Sequence, residues 1–231
     1  MSKSPRGTGG RSNTNVRAFE DFLQGWFVRQ ECYLEDLRST LANSHESKEE
    51  DLQDLIARVL AHYQEYYEEK SRIANHDVFL VFCPPWYSPF ERSFLWIAGA
   101  KPGLAFSLVG SSVEDLSEDQ VERIERLKAE TRADEKELAD ELARIQESVA
   151  APPILEVARR MAGERECAEV DSAMETLKME MEVVLANADM LRTRTAERVA
   201  EILTPVQNLK FLTALTEFQM KVRIVGSLLS R

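Results

Sequence analysis

Residues that interrupt helices are few in this sequence and lie mainly in three places. The 231 residues include nine Gly and eight Pro, which gather near the start, between residues 84 and 110, and near residue 152. Because Gly and Pro are the strongest punctuators of local structure, long stretches without them favour long helices over many short strands. The spacing predicts an all-α chain: a bundle of long antiparallel helices with short loops, a helical corner rich in Pro and aromatic residues, and no sheet.

Apolar residues recur at the i, i+3, i+4, i+7 spacing of amphipathic helices between these interruptions. The stretches that show this pattern are residues 16–41, 47–73, 117–149, 167–195 and 204–229. A shorter helix is expected at residues 154–161. The apolar residues of 170–195 alternate spacings of four and three, which requires a second helix along that seam. The sequence leaves open whether this helix belongs to the same chain or to a second copy.

Capping signals predict where three of these helices begin. A Ser or Thr followed three residues later by Glu or Gln forms a capping box, in which each side chain binds a free backbone amide of the first turn. The pairs are Ser47 with Glu50, Ser117 with Gln120, and Thr204 with Gln207.

Residues 84–109 form the segment on which the rest of the chain is organised. They contain two Trp, three Phe, one Tyr and four Pro. Ser88 can cap a helix with Pro89 in its first turn, and the apolar spacing carries that helix to Gly99, where it ends. A second apolar turn follows in residues 104–109. We expect a buried corner of two short helices.

Composition limits the class of protein. Residues 1–15 are polar and basic and lack apolar residues, so we expect a disordered tail before a single helical domain at residues 16–231. The net charge of −11 disfavours direct binding of nucleic acid, which needs a basic face. Three widely spaced cysteines indicate reduced thiols, and no apolar run is long enough to span a bilayer. These features favour the cytoplasm or the nucleus.

No catalytic motif is recognisable, so we expect no catalytic residue, no cofactor site and no metal site. The common nucleophile, phosphate-loop, dinucleotide and zinc-protease motifs are missing, and all three His lie in the first third of the sequence. His62 lies among several Glu, which admits a metal site, but a charged outer helical face explains the same pattern. Glu91 with Arg92 is expected to form a structural ion pair with Arg223 or Glu217.

Two features each have two interpretations. Gln30 lies beside an apolar stripe and is either a buried hydrogen-bonding residue or a flank of that stripe. Four of the seven Met lie in residues 174–190. They either fill gaps in a helix bundle or line an adaptable groove for a partner or an acyl chain.

Blocks at the beginning, centre and end of the sequence resemble one plant family. The central block consists of Glu91, Arg92, Phe94, Leu95, Trp96, Ile97, Gly99, Lys101 and Pro102. The others include Phe22, Trp26, Gln30 and Leu37, then His62, Tyr63, Tyr66, Lys70, Ala74, Asp77 and Val78, and finally Leu191, Arg192, Gln207, Phe211, Leu212, Glu217 and Arg223. Together they resemble the seed-dormancy-control domain of the Delay-of-Germination family, which is related to the C-terminal domain of TGA-type bZIP transcription factors. Ala100 departs from the second Gly or aromatic residue that is common there.

The resemblance implies a non-enzymatic plant regulatory protein of the nucleus, the cytoplasm or both. Such a protein acts by protein–protein contact in abscisic-acid or seed-dormancy signalling, or in the regulation of transcription. The implied partners are type 2C protein phosphatases and transcription factors or co-regulators, with a homodimer as a further option. The family signature residues, which are also candidates for interaction, are Trp26, Gln30, His62, Tyr63, Trp86, Glu91, Arg92, Trp96, Gly99, Lys101, Pro102, Gln207, Glu217 and Arg223.

Two other functions remain open. The chain could bind a lipid or haem between the Met-lined helix and the aromatic corner. Haem association is known in the family, but no His follows His76 here, so a C-terminal pair of His ligands has no counterpart. The chain could also be a transcriptional adaptor that reaches DNA only through a bZIP partner, because its first 15 residues hold neither a basic helix nor a zipper.

Overall fold

The computed structural model describes residues 9–149 and 167–230, with side chains described for residues 16–149 and 172–230. Eight helices lie in these ranges: α1 (Gly9–Ala42), α2 (Glu49–Ala74), α3 (Val78–Phe82), α4 (Pro89–Arg92), α5 (Leu104–Ser112), α6 (Glu118–Val149), α7 (Cys167–Ile202) and α8 (Pro205–Leu229). The described residues contain no β-strand, which confirms the all-α prediction. The expected helix at residues 154–161 lies outside the described residues, as do residues 1–8 of the expected tail.

The first of two compact units consists of Met1–Ser93 and Leu203–Arg231. In it the long helices α1, α2 and α8 pack against one another. Their apolar stripes meet in a core that includes Leu23, Trp26, Leu37, Leu55, Val59, Leu209 and Leu212. Burial of such side chains stabilises by roughly 1.5–3 kcal/mol each, which is why the amphipathic spacing in the sequence determines how these three helices face one another.

Two short helices lie against the long helices of this unit. Asp77 begins α3 by accepting a hydrogen bond from the Phe79 amide at 3.1 Å, and α3 packs on α2. The predicted capping of α4 is confirmed: Ser88 Oγ accepts from the Glu91 amide at 3.2 Å, and Glu91 Oε2 accepts from the Ser88 amide at 2.7 Å. The short α4 packs on α8.

The second unit, Phe94–Ile202, contains α5, α6 and α7. Two ion pairs, Arg198 with Glu130 and Arg194 with Asp134, show that α6 and α7 run antiparallel. The buried seam of α7 consists of Met181, Val184, Ala188, Leu191 and Thr195. Since α7 packs extensively on α6, this part of the predicted seam has its helical partner within the same chain. The single domain at residues 16–231 stays a prediction.

The structure corrects the predicted helix from Ser88 to Gly99. The helix α4 ends at Arg92, and the chain then forms a tight turn in which Trp96 and Gly99 exchange two backbone hydrogen bonds of 2.7 and 3.1 Å. Phe94 is 49% exposed rather than buried on a helical face. The helical spacing was misleading because tertiary contacts of the turn, and not local propensity, determine its conformation.

The predicted capping box of Ser47 and Glu50 is also wrong. The helix α2 begins at Glu49, and Ser47 Oγ donates to the Asn43 carbonyl at 3.1 Å instead of capping it. Three acidic residues in the first turn, Glu49, Glu50 and Asp51, complement the positive end of the helix dipole instead. The capping boxes of α6 and α8 are confirmed.

Candidate functional site

A buried polar network joins the three long helices of the first unit. Gln30 of α1 has no exposed surface, and its Nε2 donates to Tyr63 Oη at 2.6 Å. The Tyr63 hydroxyl lies 3.3 Å from Thr216 Oγ1 and donates to Gln219 Oε1 at 3.2 Å. Burial raises the pKa of Tyr63 to about 12, so its hydroxyl stays neutral at physiological pH. Gln30 is therefore a buried hydrogen-bonding residue rather than a flank of the stripe.

Trp26 and His62 form a stacked pair beside this network. Their ring centroids are 4.4 Å apart with an interplanar angle of 9°, and Trp26 Nε1 donates to the His62 carbonyl at 2.8 Å. Burial, with help from the Arg29 guanidinium, lowers the pKa of His62 to about 4, although the Glu65 carboxylate acts in the opposite direction. His62 is thus a neutral ring of the core. Among the described residues, no group of three His, Cys, Asp or Glu is arranged to hold a metal ion.

Arg223 of α8 fastens α4 and the segment before it. Its Nη1 donates to Glu91 Oε1 at 3.0 Å and to the Trp86 carbonyl at 3.2 Å. The guanidinium also lies 4.7 Å from the centre of the Phe27 ring. Gly226 lets α4 approach, because a Cβ there would come within 3.0 Å of Glu91 Cγ. The expected ion pair of Glu91 is therefore confirmed, with Arg223 as the partner.

The other signature residues of this unit have four different environments. The Trp86 ring packs on Phe19 with centroids 4.6 Å apart, and Gln207 caps α8. Glu217 binds Arg38 at 2.7 Å, and this hydrogen bond lowers the pKa of the Glu217 carboxyl. Arg92 is exposed, and within the described part of the chain its side chain forms no hydrogen bond or ion pair.

A second cluster surrounds Arg192 of α7 in the second unit. Arg192 is buried; its Nε donates to the Ala100 carbonyl at 2.7 Å, and its Nη2 donates to the Ile97 carbonyl at 2.9 Å and to the Trp96 carbonyl. Asp189, one turn earlier on α7, balances the charge. The guanidinium lies 5.4 Å from the centre of the Trp96 ring. A single side chain thus holds the whole turn against α7.

The turn held by Arg192 has an uncommon backbone. Ile97 and Ala98 have φ angles of 43° and 56°, in the left-handed region that costs non-Gly residues roughly 1–2 kcal/mol each. Gly99 does not have a positive φ, so its role differs from the predicted termination of a helix. It provides space, because a Cβ there would lie 2.7 Å from the Arg192 guanidinium carbon.

Glu135 of α6 binds the backbone that follows the turn. It is buried, and its Oε1 accepts from the Gly103 amide at 2.6 Å. Its Oε2 lies 3.5 Å from Lys101 Nζ, although the Lys101 side chain is itself mostly exposed. Pro102, which lies between Lys101 and Gly103 in the sequence, is buried. The residues from Trp96 to Gly103 are therefore held by Arg192 of one long helix and by Glu135 of another.

Apart from Arg92, Gln207 and Glu217, the signature residues form two clusters, one in each compact unit. The first cluster surrounds Gln30, Trp26 and Glu91, and the second surrounds Arg192. Four of their partners were missed: Thr216, Gln219, Arg192 and Glu135. The sequence did point to Arg192, because this residue lies in the closing block of the family resemblance. Hydrophobic periodicity gave no sign of the other three, since it marks apolar positions and treats polar residues on a buried face as part of the solvated surface.

These clusters connect elements of the fold through hydrogen bonds and ion pairs. Tyr63 and His62 are neutral at physiological pH, and Glu91 and Glu135 are held by hydrogen bonds and a basic side chain. Elsewhere, a groove of about 310 Å³ lies between α1 and α8, with Leu34, Met220 and Ile224 among its lining residues. None of the described helices combines the length and the apolar composition that a bilayer crossing requires.

Comparison with known proteins identifies one family model and several plant relatives that resemble this chain. A family model described as seed dormancy control matches residues 33–111. The chain is 37% identical to the protein RESPONSE TO ABA AND SALT 1 of Arabidopsis thaliana, over 92% of this chain and 96% of that protein. Protein ZW2 of the same plant is 36% identical, over 92% and 98% of the two chains. Transcription factor TGA2.3 of Oryza sativa subsp. japonica is 27% identical, over 99% of this chain and 69% of that protein.

Together, the helical fold and these relatives define a class, that of plant regulatory proteins. The chain belongs to the seed dormancy control family, because relatives more than 30% identical align over almost their whole length. The resemblance inferred from the three sequence blocks is therefore confirmed.

Proposed function

We propose that the chain is a non-enzymatic plant regulatory protein that acts by protein–protein contact in abscisic-acid or seed-dormancy signalling. The observation that carries the proposal is the match over 96% of a relative whose name joins abscisic acid with salt response. The two clusters support it, because their buried polar side chains hold backbone segments together. Exposed side chains are then the ones available to partners.

The proposed partners are type 2C protein phosphatases and transcription factors or their co-regulators, in the nucleus, the cytoplasm or both. The likeness to TGA2.3, which is named as a transcription factor, favours the nuclear and transcriptional part of this proposal. A net charge of −11 disfavours direct binding to DNA. In that role the chain would be an adaptor that reaches DNA through a bZIP partner.

Arg92 is the signature side chain best placed to contact such a partner. Of the other charged members of the central block, Glu91 is buried and pairs with Arg223, and Lys101 lies 3.5 Å from Glu135. Arg92, in contrast, is exposed and without an ion pair within the described residues. Arginine is enriched at protein interfaces because its planar guanidinium forms paired hydrogen bonds and stacks on aromatic rings. Replacing it should therefore affect binding rather than folding.

The test is affinity purification of the tagged full chain from plant tissue, with and without abscisic acid. Both proteins and small molecules in the eluate are identified by mass spectrometry. The Arg92→Glu variant is compared with Arg132→Glu, a matched charge reversal at an exposed position of α6. We expect phosphatases or transcriptional regulators with the wild type and with Arg132→Glu, and about tenfold less with Arg92→Glu, as loss of a binding hot spot implies.

The alternatives give different results. Stoichiometric haem or lipid in the eluate, without a protein partner, would support a small-ligand sensor and contradict the proposal. Equal recovery of partners with both variants would show that Arg92 is not a contact, and would leave protein binding itself supported.

A further inference from the structure

The helix α7 has a second apolar stripe opposite the one that packs on α6. Met179, Val183 and Met190 are 52%, 55% and 61% exposed, and the small exposed residue Ala186 lies between them. We call these four residues the outer stripe. Successive members are four, three and four residues apart, which places them on one face of the helix. Large apolar side chains that are contiguous on a surface mark interaction sites more often than isolated ones do.

Acidic side chains border the outer stripe. Glu180 and Glu182 lie on its two sides, and neither has an ion-pair partner within the described residues. Lys178 is the one basic residue of α7 between Ser172 and Leu191, and it lies 3.8 Å from Glu175. The surface around the stripe therefore combines an apolar centre with a negative border.

We propose that the outer stripe docks an amphipathic helix of another protein whose flanks carry Lys or Arg. A helix that binds side by side needs anchors at spacings of three and four residues, which the outer stripe matches. Two of the four positions are Met, whose flexible thioether side chains adapt to different apolar surfaces. The carboxylates on the border attract basic residues that flank the apolar face of such a helix.

A second copy of this chain fits the same stripe less well. In an antiparallel pair that sets Met179 against Met190, heptad geometry brings no basic residue of one copy opposite Glu180 or Glu182 of the other. In a parallel pair, Glu175 faces Glu180 of the second copy. A second copy therefore does not neutralise the acidic border, so charge favours a basic partner over self-association.

The probe is a fluorescent synthetic peptide of three heptads with Leu at positions a and d and Lys at positions e and g. A second peptide has Glu in place of each Lys. Binding to the full chain is measured by fluorescence anisotropy at low and high salt. One variant combines Met179→Ser, Val183→Ser and Met190→Ser. The control variant combines Ile224→Ser and Leu228→Ser, an exposed apolar pair of α8 that is 54% and 61% exposed.

We expect the Lys peptide to bind the wild type at least about tenfold more tightly than the Glu peptide, and less tightly at high salt. The stripe variant should lose about tenfold in affinity while the control variant stays within about twofold of the wild type. Circular dichroism checks that both variants keep their helices. Because the replaced side chains are exposed, loss of folding is not the expected cause of weaker binding.

Three results would overturn the proposal. The stripe variant could bind the Lys peptide as tightly as the wild type does, or the wild type could bind the Glu peptide as tightly as the Lys peptide. The third result is a wild-type dimer that becomes a monomer in the stripe variant. The proposed docking rests on the proposed function, since both require a protein partner. The two can fail separately. Partners recovered from plant tissue equally by the wild type and the stripe variant would contradict the docking surface alone, whereas recovery of no partner would contradict the proposed function.

Discussion

Arg192 shows how one side chain can determine the conformation of a segment far away in the sequence. It donates hydrogen bonds to the backbone carbonyls of Trp96, Ile97 and Ala100, and Asp189 neutralises its charge. Lysine could not do the same, because only the guanidinium presents donors in a rigid planar fork. These charge-assisted hydrogen bonds offset the cost of two residues in the left-handed region.

A Cβ at Gly99 should disrupt this arrangement. We expect Gly99→Ala to lower the free energy of unfolding by about 1–3 kcal/mol, since the added methyl group overlaps a guanidinium that is fixed by its hydrogen bonds. The control is Gly110→Ala in α5, where no atom lies within 4 Å of the new Cβ. That change should stabilise by about 0.4–1 kcal/mol. Chemical denaturation measures both, and equal effects would contradict the close packing inferred at Gly99.

His62 makes stability depend on pH. Burial lowers its pKa from 6.5 to about 4, so between these values the unfolded chain binds more protons than the folded one. The contribution of His62 to the free energy of unfolding is complete above pH 6.5 and is lost as the pH falls towards 4. The free energy of unfolding then decreases by up to about 3 kcal/mol.

The His62→Phe variant keeps an aromatic ring against Trp26 but cannot titrate. Urea unfolding at a series of pH values should therefore show the wild type losing stability relative to His62→Phe between pH 6.5 and 4. Parallel curves for the two proteins would mean that His62 is solvated rather than buried.

At the scale of secondary structure, three of the four predicted helix caps are confirmed, whereas that of Ser47 with Glu50 is wrong. Ser88, Ser117 and Thr204 begin helices as expected, because a capping box involves only residues within one turn. The end of α4 was not predictable. The residues after Arg92 have helical spacing, but they are held by Arg192, about a hundred residues away, and no local pattern contains that contact.

The candidate site was predictable only in part. The family blocks include Gln30, Tyr63 and Glu91, and Arg223 was one of the two partners expected for the pair of Glu91 and Arg92. The sequence did not show that the signature residues divide into two clusters. Nor did it identify Thr216 or Glu135, whose burial depends on which helices meet.

The turn from Trp96 to Gly99 is the element whose conformation is most directly testable. NMR should show protected amides at Trp96 and Gly99, which bond to each other's carbonyls. Scalar couplings at Ile97 and Ala98 should report positive φ angles. Helical Cα shifts that continue without a break from Pro89 to Ala98 would contradict the turn and restore the helix that the sequence favoured.

For the whole chain, the central claim is that the buried signature residues form a framework and that function depends on exposed faces. Both clusters connect elements of the fold through hydrogen bonds of buried side chains. The exposed candidates are Arg92 and the outer stripe of α7. Relatives named for hormone response and for transcription agree with a regulatory role.

Hydrogen exchange of the full chain, alone and bound to a partner recovered from plant tissue, tests this claim most directly. We predict slower exchange in peptides that contain Arg92 or the outer stripe, and unchanged exchange in peptides that contain Gln30 and Tyr63. Changes confined to the peptides around Gln30 and Tyr63, with the exposed faces unaffected, would contradict it.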